Sequence, residues 1–445
     1  MNQAGDYKLD RIILHSVSGS LDIKELMVEL NIYESIHANS LYGNIVIADV
    51  ANHIQNMPII GQEELEFTLS TDDSRTNEKI DFTKFRARIY KVSDQVRSAE
   101  RQQVYTLSFT TKEAMTNQRM KLKSAYSGSS DYITFEILQN MLRTEKEIIR
   151  EYSSLHCKVL GNMMSPFSFI EQILAKRSAS RDFRNSAGFL FFENHRGYNF
   201  RSFSHLTHRN PEIERLPQEN FISQPSKRDS SIAEDMQNIL EYRITKNQDV
   251  LAAMNTGLLA STQYIYDVYT KSFETKRNNY LDNFIESVHT RPGLNAGTLY
   301  TKTPEETNRT LFDYNDANIT VSTKDIGLHT QSTTDTRTYD NHSNLLQERR
   351  YNKLRYDQLS AKVTVFGNSN LAAGDIVTLR LPSYEPLDKT TTRIHDTFLS
   401  GRWLITNVVH TVNTTRYTTT FDCVRDSVEK PYKFVSNTIQ QESDI

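Results

Sequence analysis

Two pairs of neighbouring residues could do chemistry, and each pair has a plainer interpretation. His205 and His208 are one helical turn apart, a spacing at which two imidazoles can share a metal ion. No third ligand accompanies them, which favours surface or interface histidines. His156 precedes Cys157 and could activate its thiol, but neighbours in sequence rarely face each other. A small buried cysteine is therefore the favoured interpretation.

Acidic doublets are the other candidates for catalysis. Glu63-Glu64 and Asp72-Asp73 could supply the paired carboxylates of a glycosidase, but nothing fixes their separation, and doublets in turns are usually solvated. The sequence has no Gly-rich phosphate loop, no Gly-x-Ser-x-Gly elbow and no His-Glu-x-x-His motif. We therefore expect a protein that is not an enzyme and that uses no cofactor and no metal.

One basic loop is the best candidate for nucleic-acid binding. It carries Lys176, Arg177, Arg181 and Arg184 but has no interleaved aromatic residues, which favours a solvated loop or a protein contact. The whole chain has a formal charge of −3 and a pI near 6.5. Bulk electrostatics therefore gives no reason to expect binding to nucleic acid or to anionic lipid.

Composition favours β-structure in a chain with several folding units. The 445 residues include 22 Tyr and 21 Phe against one Trp, and Thr-rich runs add further strand formers. Such a length predicts about two to four units. Cys157 and Cys423 cannot form a disulfide framework, so a reducing compartment is expected. The polar N-terminus lacks a signal core, and no run approaches the ~18 apolar residues that cross a bilayer.

Alternating apolar residues dominate the first hundred positions. One face of a predicted strand carries Leu26, Val28, Leu30 and Ile32. Turn signals at Gly43, Pro58 and Gly61 separate such strands, which predicts an all-β barrel or sandwich unit. Helical spacing begins at Asp131 and returns after Ser165, where a Pro follows the cap.

Two stretches nearly 300 residues apart share one local plan. In the first, Gly61 and an acidic pair lead into a strand, a polar loop, a second strand and then Tyr105-Thr-Leu-Ser-Phe109. In the second, Gly374 and Asp375 lead into the same succession, which ends in Tyr417-Thr-Thr-Thr-Phe421. The intervals from glycine to tyrosine are 105 − 61 = 44 and 417 − 374 = 43 residues. Such self-similarity predicts a duplicated unit, although Tyr-Thr-x-x-Phe is also an ordinary strand composition.

Several short stretches, spread over most of the chain, resemble stretches of a known protein family. Their order along the chain is the specific feature. The N-terminal and central ones are Ser40-Leu-Tyr-Gly-Asn44, Met57-Pro-Ile-Ile-Gly61, Ser165-Pro-Phe-Ser-Phe-Ile-Glu171, Gly188-Phe-Leu-Phe-Phe192 and Gly197-Tyr-Asn-Phe200. The C-terminal ones are Gly367-Asn-Ser-Asn-Leu371, Ala373-Gly374-Asp375, Gly401-Arg-Trp-Leu-Ile405 and Val408-Val-His410. The chain thereby resembles the baseplate hub proteins of contractile-tailed bacteriophages, whose architecture is related to the base of the type VI secretion spike. The structural signature comprises Tyr42, Gly43, Pro58, Gly61, Gly374, Asp375, Trp403 and His410.

The resemblance implies a mainly β fold with α+β inserts. Two related antiparallel β-barrel (tube) domains would form a pseudo-six-fold ring in a trimer, and in that family an insertion splits the second barrel. The predicted domains are a first barrel (1–125), an α+β insert (126–230), a second barrel in two parts (231–260 and 345–428), a loop-rich insertion (261–344) and a flexible tail (429–445). Trp403 is expected to anchor the second core, and His410 is expected to pack and hydrogen-bond at the end of a strand.

The resemblance also implies a function in assembly. It predicts a homotrimeric hub in the virion tail baseplate, assembled in the host cytoplasm, that joins a six-fold tail tube to a three-fold central spike. Peripheral wedge proteins would be further partners, DNA would be cargo in the central channel, and no membrane would be involved. Three alternatives remain. The first is a tail-associated cell-wall hydrolase, which the missing acid/base constellation argues against. The second is a carbohydrate- or receptor-binding tail protein, which needs exposed aromatic clusters, and the third is a secretion-system spike, which would need a long C-terminal β-repeat if fused to its needle.

Overall fold

Strands outnumber helices in the described part of the chain. The structure is a computed structural model that describes residues 4–53, 57, 59–71, 78–99, 102–154, 156–184, 186–208, 219–223, 231–268, 270–290, 297–301, 309–324, 342–383 and 395–428. The strands are β1 Tyr7–Ser16, β2 Gly19–Asp22, β3 Met27–Ser35, β4 Tyr42–Asp49, β5 Glu64–Thr71, β6 Lys79–Asp81, β7 Ala87–Ala99, β8 Gln102–Thr110, β9 Ala125–Ser129, β10 Glu147–Arg150, β11 His156–Leu160, β12 Phe189–Asn194, β13 Gly197–Ser202, β14 Glu219–Ile222, β15 Ile239–Asn247, β16 Ala260–Asp267, β17 Ser272–Asn279, β18 Ile319–Thr323, β19 Leu359–Phe366, β20 Ile376–Arg380, β21 Gly401–Asn413 and β22 Tyr417–Arg425.

Helices are short except for the last one. They are α1 Lys112–Arg119, α2 Ser130–Glu136, α3 Pro166–Phe169, α4 Phe203–Thr207, α5 Ile232–Met236, α6 Val250–Asn255, α7 Tyr280–Glu286 and α8 His342–Tyr356. Wider π turns extend α2 over Ile137–Met141 and α3 over Ile170–Leu174. None of the helices in the described ranges is long and apolar enough to cross a bilayer.

Fourteen strands form one large sheet. Its main path is β15-β19-β22-β21-β3-β4-β8-β7-β5-β1-β2, while β20 also pairs with β21, β14 with β20 and β6 with β5. These pairs are antiparallel except for β14 and β20, which run parallel. The prediction of a mainly antiparallel β fold with helical inserts is confirmed.

One pairing order occurs twice within this sheet. The first repeat consists of β3-β4-β8-β7-β5, and the second repeat consists of β15-β19-β22-β21-β20, with antiparallel pairing at every step. A single hydrogen bond outside the strand ladders also recurs. The Ile89 amide donates to the Glu63 carbonyl over 2.9 Å, and the Ile405 amide donates to the Asp375 carbonyl over 2.8 Å. The two stretches that share a plan in sequence therefore share their strand pairing.

The expected closed barrels are not found among the described strands. Closing the first repeat on itself would require a free edge on β3, but β3 pairs with β4 on one side and with β21 on the other. One edge of the long strand β21 pairs with β22. Its other edge pairs with two strands, with β20 through residues 401–404 and with β3 through residues 407–413. β3 of the first repeat and β21 of the second repeat pair with each other, and this pairing joins the two repeats into one open sheet.

A β-bulge corrects the predicted face of β3. Strict alternation would place Val28 inside with Leu30, but Val28 is exposed whereas Met27 and Leu30 are buried. The pairing of β3 with β4 shifts register between Met27 and Glu29. Because one extra residue inverts side-chain parity, the bulge moves Val28 to the outside.

Aromatic rings form the core of the α+β insert. β12 and β13 pair antiparallel, and β10 adds to β13 in parallel. The rings of Phe167, Phe191 and Tyr198 lie with centroids 5.4, 5.8 and 6.0 Å apart. Phe167 follows Pro166 at the start of α3, so the predicted Ser-Pro helix start delivers one of these rings.

In the range 261–344, where the sequence predicts a loop-rich insertion, the described residues include strands and a helix. β16 pairs antiparallel with β17 and parallel with β18, which makes a separate three-stranded sheet. Beneath it lies a buried cluster that includes Tyr280, Phe284 and Phe312. The sequence did not reveal this core because its buried members within 261–344 are aromatic except for Leu299, so few aliphatic residues mark it.

Candidate functional site at the seam between the repeats

The two repeats meet where β3 pairs with β21, and we call this junction the seam. Its antiparallel pairing runs from Asn407 opposite Ser35 to Asn413 opposite Glu29. The β12–β13 turn of the α+β insert, residues 194–197, docks here. The seam thus brings together the first repeat, the second repeat and the insert.

Arg196 is the cation of this turn. Its Nη1 lies 2.8 Å from Asp375 Oδ1, and its Nε and Nη2 lie 3.2 and 3.1 Å from Glu78 Oε2. Nη2 also donates to the Asn370 carbonyl. Burial disfavours the charge, but the two carboxylates raise the pKa of Arg196 above its ordinary value. The guanidinium therefore stays charged and ties the insert to both repeats.

Glu34 on β3 binds His195, the residue that precedes Arg196 in the turn. Its Oε1 accepts hydrogen bonds from the amide and from Nδ1 of His195, both over 2.8 Å, and its Oε2 accepts the Ala373 amide over 3.0 Å. Burial alone would raise the pKa of the Glu34 carboxyl, but His195 and, less strongly, His410 hold it below the ordinary value. A buried carboxylate with three donors is one that the fold has stabilised as an anion.

His410 on β21 completes this group. It is fully buried, and its Nδ1 lies 2.7 Å from the Tyr417 hydroxyl and 3.4 Å from the Thr419 hydroxyl. Burial lowers the pKa of His410 to about 4, although Glu34 and the Leu371 carbonyl oppose that shift. His410 therefore hydrogen-bonds and packs within the sheet, and it lies within the seam, opposite Ile32 on β3.

A second buried ion cluster lies beside the turn. Lys146 Nζ is 2.9 Å from Glu113 Oε2 and 2.6 Å from Glu193 Oε1. Glu193 Oε2 also accepts the Leu41 amide over 3.1 Å and the Thr111 hydroxyl over 2.9 Å. Burial opposes the ammonium charge, yet Glu193 and then Glu113 raise the pKa of Lys146. This cluster fastens the insert to the first repeat.

Two of the signature glycines, Gly61 and Gly374, occupy matching places in the two repeats. Gly61 has φ +85° and Gly374 has φ +93°, a left-handed conformation that favours glycine. The acidic residue that follows each glycine accepts hydrogen bonds from backbone amides of the preceding loop. Glu63 accepts the amides of residues 60, 61 and 62 over 2.8, 2.9 and 3.0 Å, and Asp375 Oδ2 accepts the Ala372 amide over 3.0 Å. Each acid thus caps the loop that leads into its strand.

The other signature residues serve the cores or the surface. Trp403 is fully buried in the second repeat, and its Nε1 donates to the Leu399 carbonyl over 3.1 Å. Tyr42 begins β4 and is 42% exposed. Gly43 lies opposite Phe109 on β8. Pro58 lies outside the described residues.

Replacing Gly43 with alanine should lower the free energy of unfolding by about 2–3 kcal/mol, because overpacking a filled core displaces its neighbours. An added Cβ would lie 2.1 Å from Phe109 Cζ and 2.6 Å from the Asn31 carbonyl oxygen. Denaturant unfolding of the purified variant measures the loss. Combining Gly43→Ala with Phe109→Leu should cost less than the sum of the two single changes. Strict additivity would contradict the assigned clash.

Residues considered for catalysis are separated by the fold. His156 is exposed on β11 whereas Cys157 is buried, so they lie on opposite faces of that strand. His205 and His208 both pack against the ring of Phe183, with centroids 6.2 and 5.1 Å away. Neither pair belongs to a group of three possible metal ligands within the described ranges.

The acidic doublets have different outcomes. Glu63 is buried by its loop contacts, which corrects the expectation of a solvated pair. Glu64 instead pairs with Arg86 over 3.1 Å and with Arg88 over 2.6 Å at the surface. Asp72-Asp73 lies outside the described residues.

The basic loop contributes to a larger electropositive groove. Arg181 and Arg184 are exposed, while Lys176 lines a cavity of about 700 Å³ between α8 and the insert. The cations of this groove are Lys176, Arg349, Arg350 and Lys353, against the single carboxylate of Glu171. The sequence did not indicate this groove because its cations come from stretches about 170 residues apart.

Comparisons with known proteins give structural likeness only. No family model matches the chain, and no curated protein matches it. A prophage MuSo2 43 kDa tail protein from Shewanella oneidensis aligns with a TM-score of 0.48 and 10% identity, over 94% of this chain and 98% of that one. A tail protein from Neisseria meningitidis MC58 aligns with a TM-score of 0.49 and 8% identity, over 94% and 97%. The E. coli c3393 protein, a component of the type VI secretion system, aligns with a TM-score of 0.42 and 10% identity, over 96% and 79%.

These three structures are those of two tail proteins, one of them from a prophage, and of a component of the type VI secretion system. Scores below 0.5 at about a tenth identity do not transfer a function.

Proposed function

We propose that this chain is a structural, non-enzymatic hub subunit of a contractile-tail baseplate. Three copies would form a ring with a central channel that joins a six-fold tail tube to a three-fold central spike. Peripheral baseplate proteins would bind outside the ring, and DNA would pass through it only as cargo. The protein would assemble in the host cytoplasm and reside in the virion tail.

One observation carries this proposal: two repeats with the same strand order lie side by side in a continuous sheet. Three chains with closed symmetry would supply six such repeats. A ring of this kind has approximate six-fold symmetry where the repeats are alike and three-fold symmetry where the inserts differ. That mismatch of symmetry is what a junction between a tube and a spike requires.

The ends of the sheet support closure between chains. In the part that the structure describes, β15 and β2 end the path of paired strands. β15 alternates between exposed and half-buried residues along most of its length, and Leu240 on it is 41% exposed. An open, exposed strand edge invites pairing with another chain. Head-to-tail contact of such ends closes a ring when the rotation is 120°.

The buried seam supports a mechanical role over a catalytic one. Its ionic groups already have partners: Glu34 accepts the amides of His195 and Ala373, and Arg196 pairs with Asp375. A catalytic site needs groups that reach a substrate within a cleft. Rigid coupling of the insert to both repeats suits a part that transmits force.

Native mass spectrometry should detect a species of three times the 51.4 kDa chain mass. Light scattering on the same sample should agree, and negative-stain class averages should show a ring with six similar lobes. A monodisperse monomer with native circular dichroism would refute the trimer. A peptidoglycan zymogram of the trimer should show no clearing, and clearing would favour the hydrolase instead.

A further inference from the structure

We propose that the electropositive groove between α8 and the α+β insert binds an acidic peptide segment of a partner protein, with an apolar side chain of that segment held inside the groove. The cavity of the groove has a volume of about 700 Å³, within the range of about 300–1,000 Å³ that binding pockets span. This inference goes beyond the proposed function, since it applies whether or not three chains form a ring.

The positive charge of the groove is not balanced by the residues that line it. The lining contains one carboxylate, Glu171, and four cations, which are Lys176, Arg349, Arg350 and Lys353. Glu171 Oε2 already accepts the Asn39 side-chain amide over 2.9 Å. Among the described residues, none of the four cations lies within ion-pairing distance of a carboxylate. The chain as a whole has a formal charge of −3, so this concentration of cations is local.

Arg349 is positioned by the backbone of the insert. Gly188 has φ +88°, and an added Cβ would lie 2.5 Å from Arg349 Cγ, so the glycine lets the arginine stem pass over the chain. Arg349 Nη1 donates to the Lys176 carbonyl over 2.8 Å. Burial, and then the charge of Arg177, lower the pKa of Arg349. A carboxylate bound beside this guanidinium would oppose both effects, because it favours the charged form.

The other two cations of α8 lie on the same side of the helix. Lys353 is exposed and follows Arg349 by four residues and Arg350 by three, which are the spacings of neighbours on a helix surface. Arg350 Nη1 donates to the Asn318 side-chain oxygen and to the Thr320 hydroxyl, each over 3.1 Å, and both acceptors are neutral. A guanidinium has five N–H donors, so each arginine can also bind a carboxylate with two hydrogen bonds.

The rest of the lining is mostly apolar. Leu190 and Leu346 are half-buried there. The fully or nearly buried apolar members are Ile36, Ala187, Phe189, Phe191 and Phe203. An apolar side chain that enters the groove would leave water for this surface, which is favourable. Cations beside an apolar surface therefore suit a ligand that has carboxylates and an apolar group together.

The apolar lining favours a peptide over nucleic acid or a small anion. Single-stranded nucleic acid binds by stacking its bases on exposed aromatic faces. Phe191 is only 3% exposed and stacks on Tyr198 with centroids 5.8 Å apart, and Phe203 is 8% exposed and stacks on Tyr356 at 4.7 Å. These rings offer little surface to a base. Inorganic phosphate would use the cations but would leave the apolar lining uncovered.

Fluorescence anisotropy with the full chain tests the site. The probe is a fluorescein-labelled peptide of sequence Asp-Glu-Leu-Asp-Phe-Glu-Asp, and we expect saturable binding with a Kd below about 100 µM in about 50 mM NaCl. The same peptide with Asn and Gln in place of its acids should bind at least about tenfold more weakly. A Kd above about 100 µM for the acidic peptide, or equal binding of the neutral one, would overturn the proposal.

Paired variants assign the binding to the groove. Arg349→Gln with Lys353→Gln should weaken binding at least about tenfold, whereas Arg181→Gln with Arg184→Gln removes the same charge from exposed positions outside the lining and should leave the Kd within about twofold. Lys353→Glu, at an exposed position that the fold tolerates, should weaken binding even if the first variant fails to fold. Equal losses in both double variants, or full binding by Lys353→Glu, would place the peptide elsewhere and refute the proposal.

A labelled oligodeoxythymidine of twelve nucleotides separates the nucleic-acid alternative. It should bind more weakly than the acidic peptide, and inorganic phosphate at matched ionic strength should not displace that peptide. Tighter binding of the oligonucleotide that is lost in Lys353→Glu would assign the groove to nucleic acid, and displacement by phosphate would assign it to a small anion. Either result would contradict the proposed peptide site.

Discussion

Replacing Arg196 with alanine should lower the free energy of unfolding by about 3 kcal/mol, because removing one member of a buried ion pair leaves the other uncompensated. Its guanidinium lies 2.8 Å from Asp375 and 3.1 Å from Glu78, and the Asp375 side chain is only 9% exposed. Alanine would remove the guanidinium from that carboxylate inside the seam. Denaturant unfolding followed by the fluorescence of Trp403, the single tryptophan, reports the loss in the second repeat.

Arg86 offers the matched control for this prediction. It also contacts two carboxylates, Glu64 over 3.1 Å and Glu66 over 2.9 Å, but its side chain is 41% exposed. Solvent-exposed pairs contribute about 0–1 kcal/mol, so Arg86→Ala should change stability by less than 1 kcal/mol. Equal losses for the two variants would show that burial at the seam does not strengthen the pairing of Arg196.

Local sequence patterns predicted the repeated unit because its features are local. Gly61 and Gly374 are needed for a left-handed turn, and the acidic residue that follows each of them caps its own loop. Tyr105 and Tyr417 then fall at nearly equal distances along the chain. Turn chemistry and strand alternation act over a few residues, so one sequence is enough to recognise them.

The seam could not be predicted from those patterns. Glu34 and His195 are 161 positions apart, and nothing in either neighbourhood indicates the other. The open sheet likewise depends on which strand pairs with the second edge of β3. The alternation of apolar and polar residues predicts the faces of a strand but not its neighbours. His410 was expected as a packing residue, whereas its proximity to Glu34 and His195 required the tertiary structure.

Asp426→Ala should be the most destabilising single change outside the seam, at about 3–5 kcal/mol. Asp426 Oδ2 lies 2.8 Å from His289 Nδ1 and 3.3 Å from Arg355 Nε, while Oδ1 accepts the amide and the hydroxyl of Thr290 over 3.1 and 2.8 Å. Arg355 and Asp426 are both fully buried. Removing the carboxylate takes its countercharge from the buried guanidinium of Arg355, between α8 and the end of β22. Equilibrium unfolding at pH 7 measures the effect.

The same carboxylate should make stability depend on pH in the acid range. Burial alone would raise the pKa of Asp426, but His289 and Arg355 hold it well below its ordinary value in the folded state. A group whose pKa is lower in the folded state stabilises the protein fully above its unfolded pKa of about 3.9 and loses that contribution as the pH falls further. Wild-type stability should therefore decline from about pH 4 downwards, and Asp426→Asn, already weaker at pH 7, should show a shallower decline. Asp357, whose side chain is 70% exposed and pairs with Lys246 at the surface, is the control. If Asp357→Asn flattens the acid limb as much as Asp426→Asn does, the pH dependence belongs to the general charge of the chain and not to this buried pair.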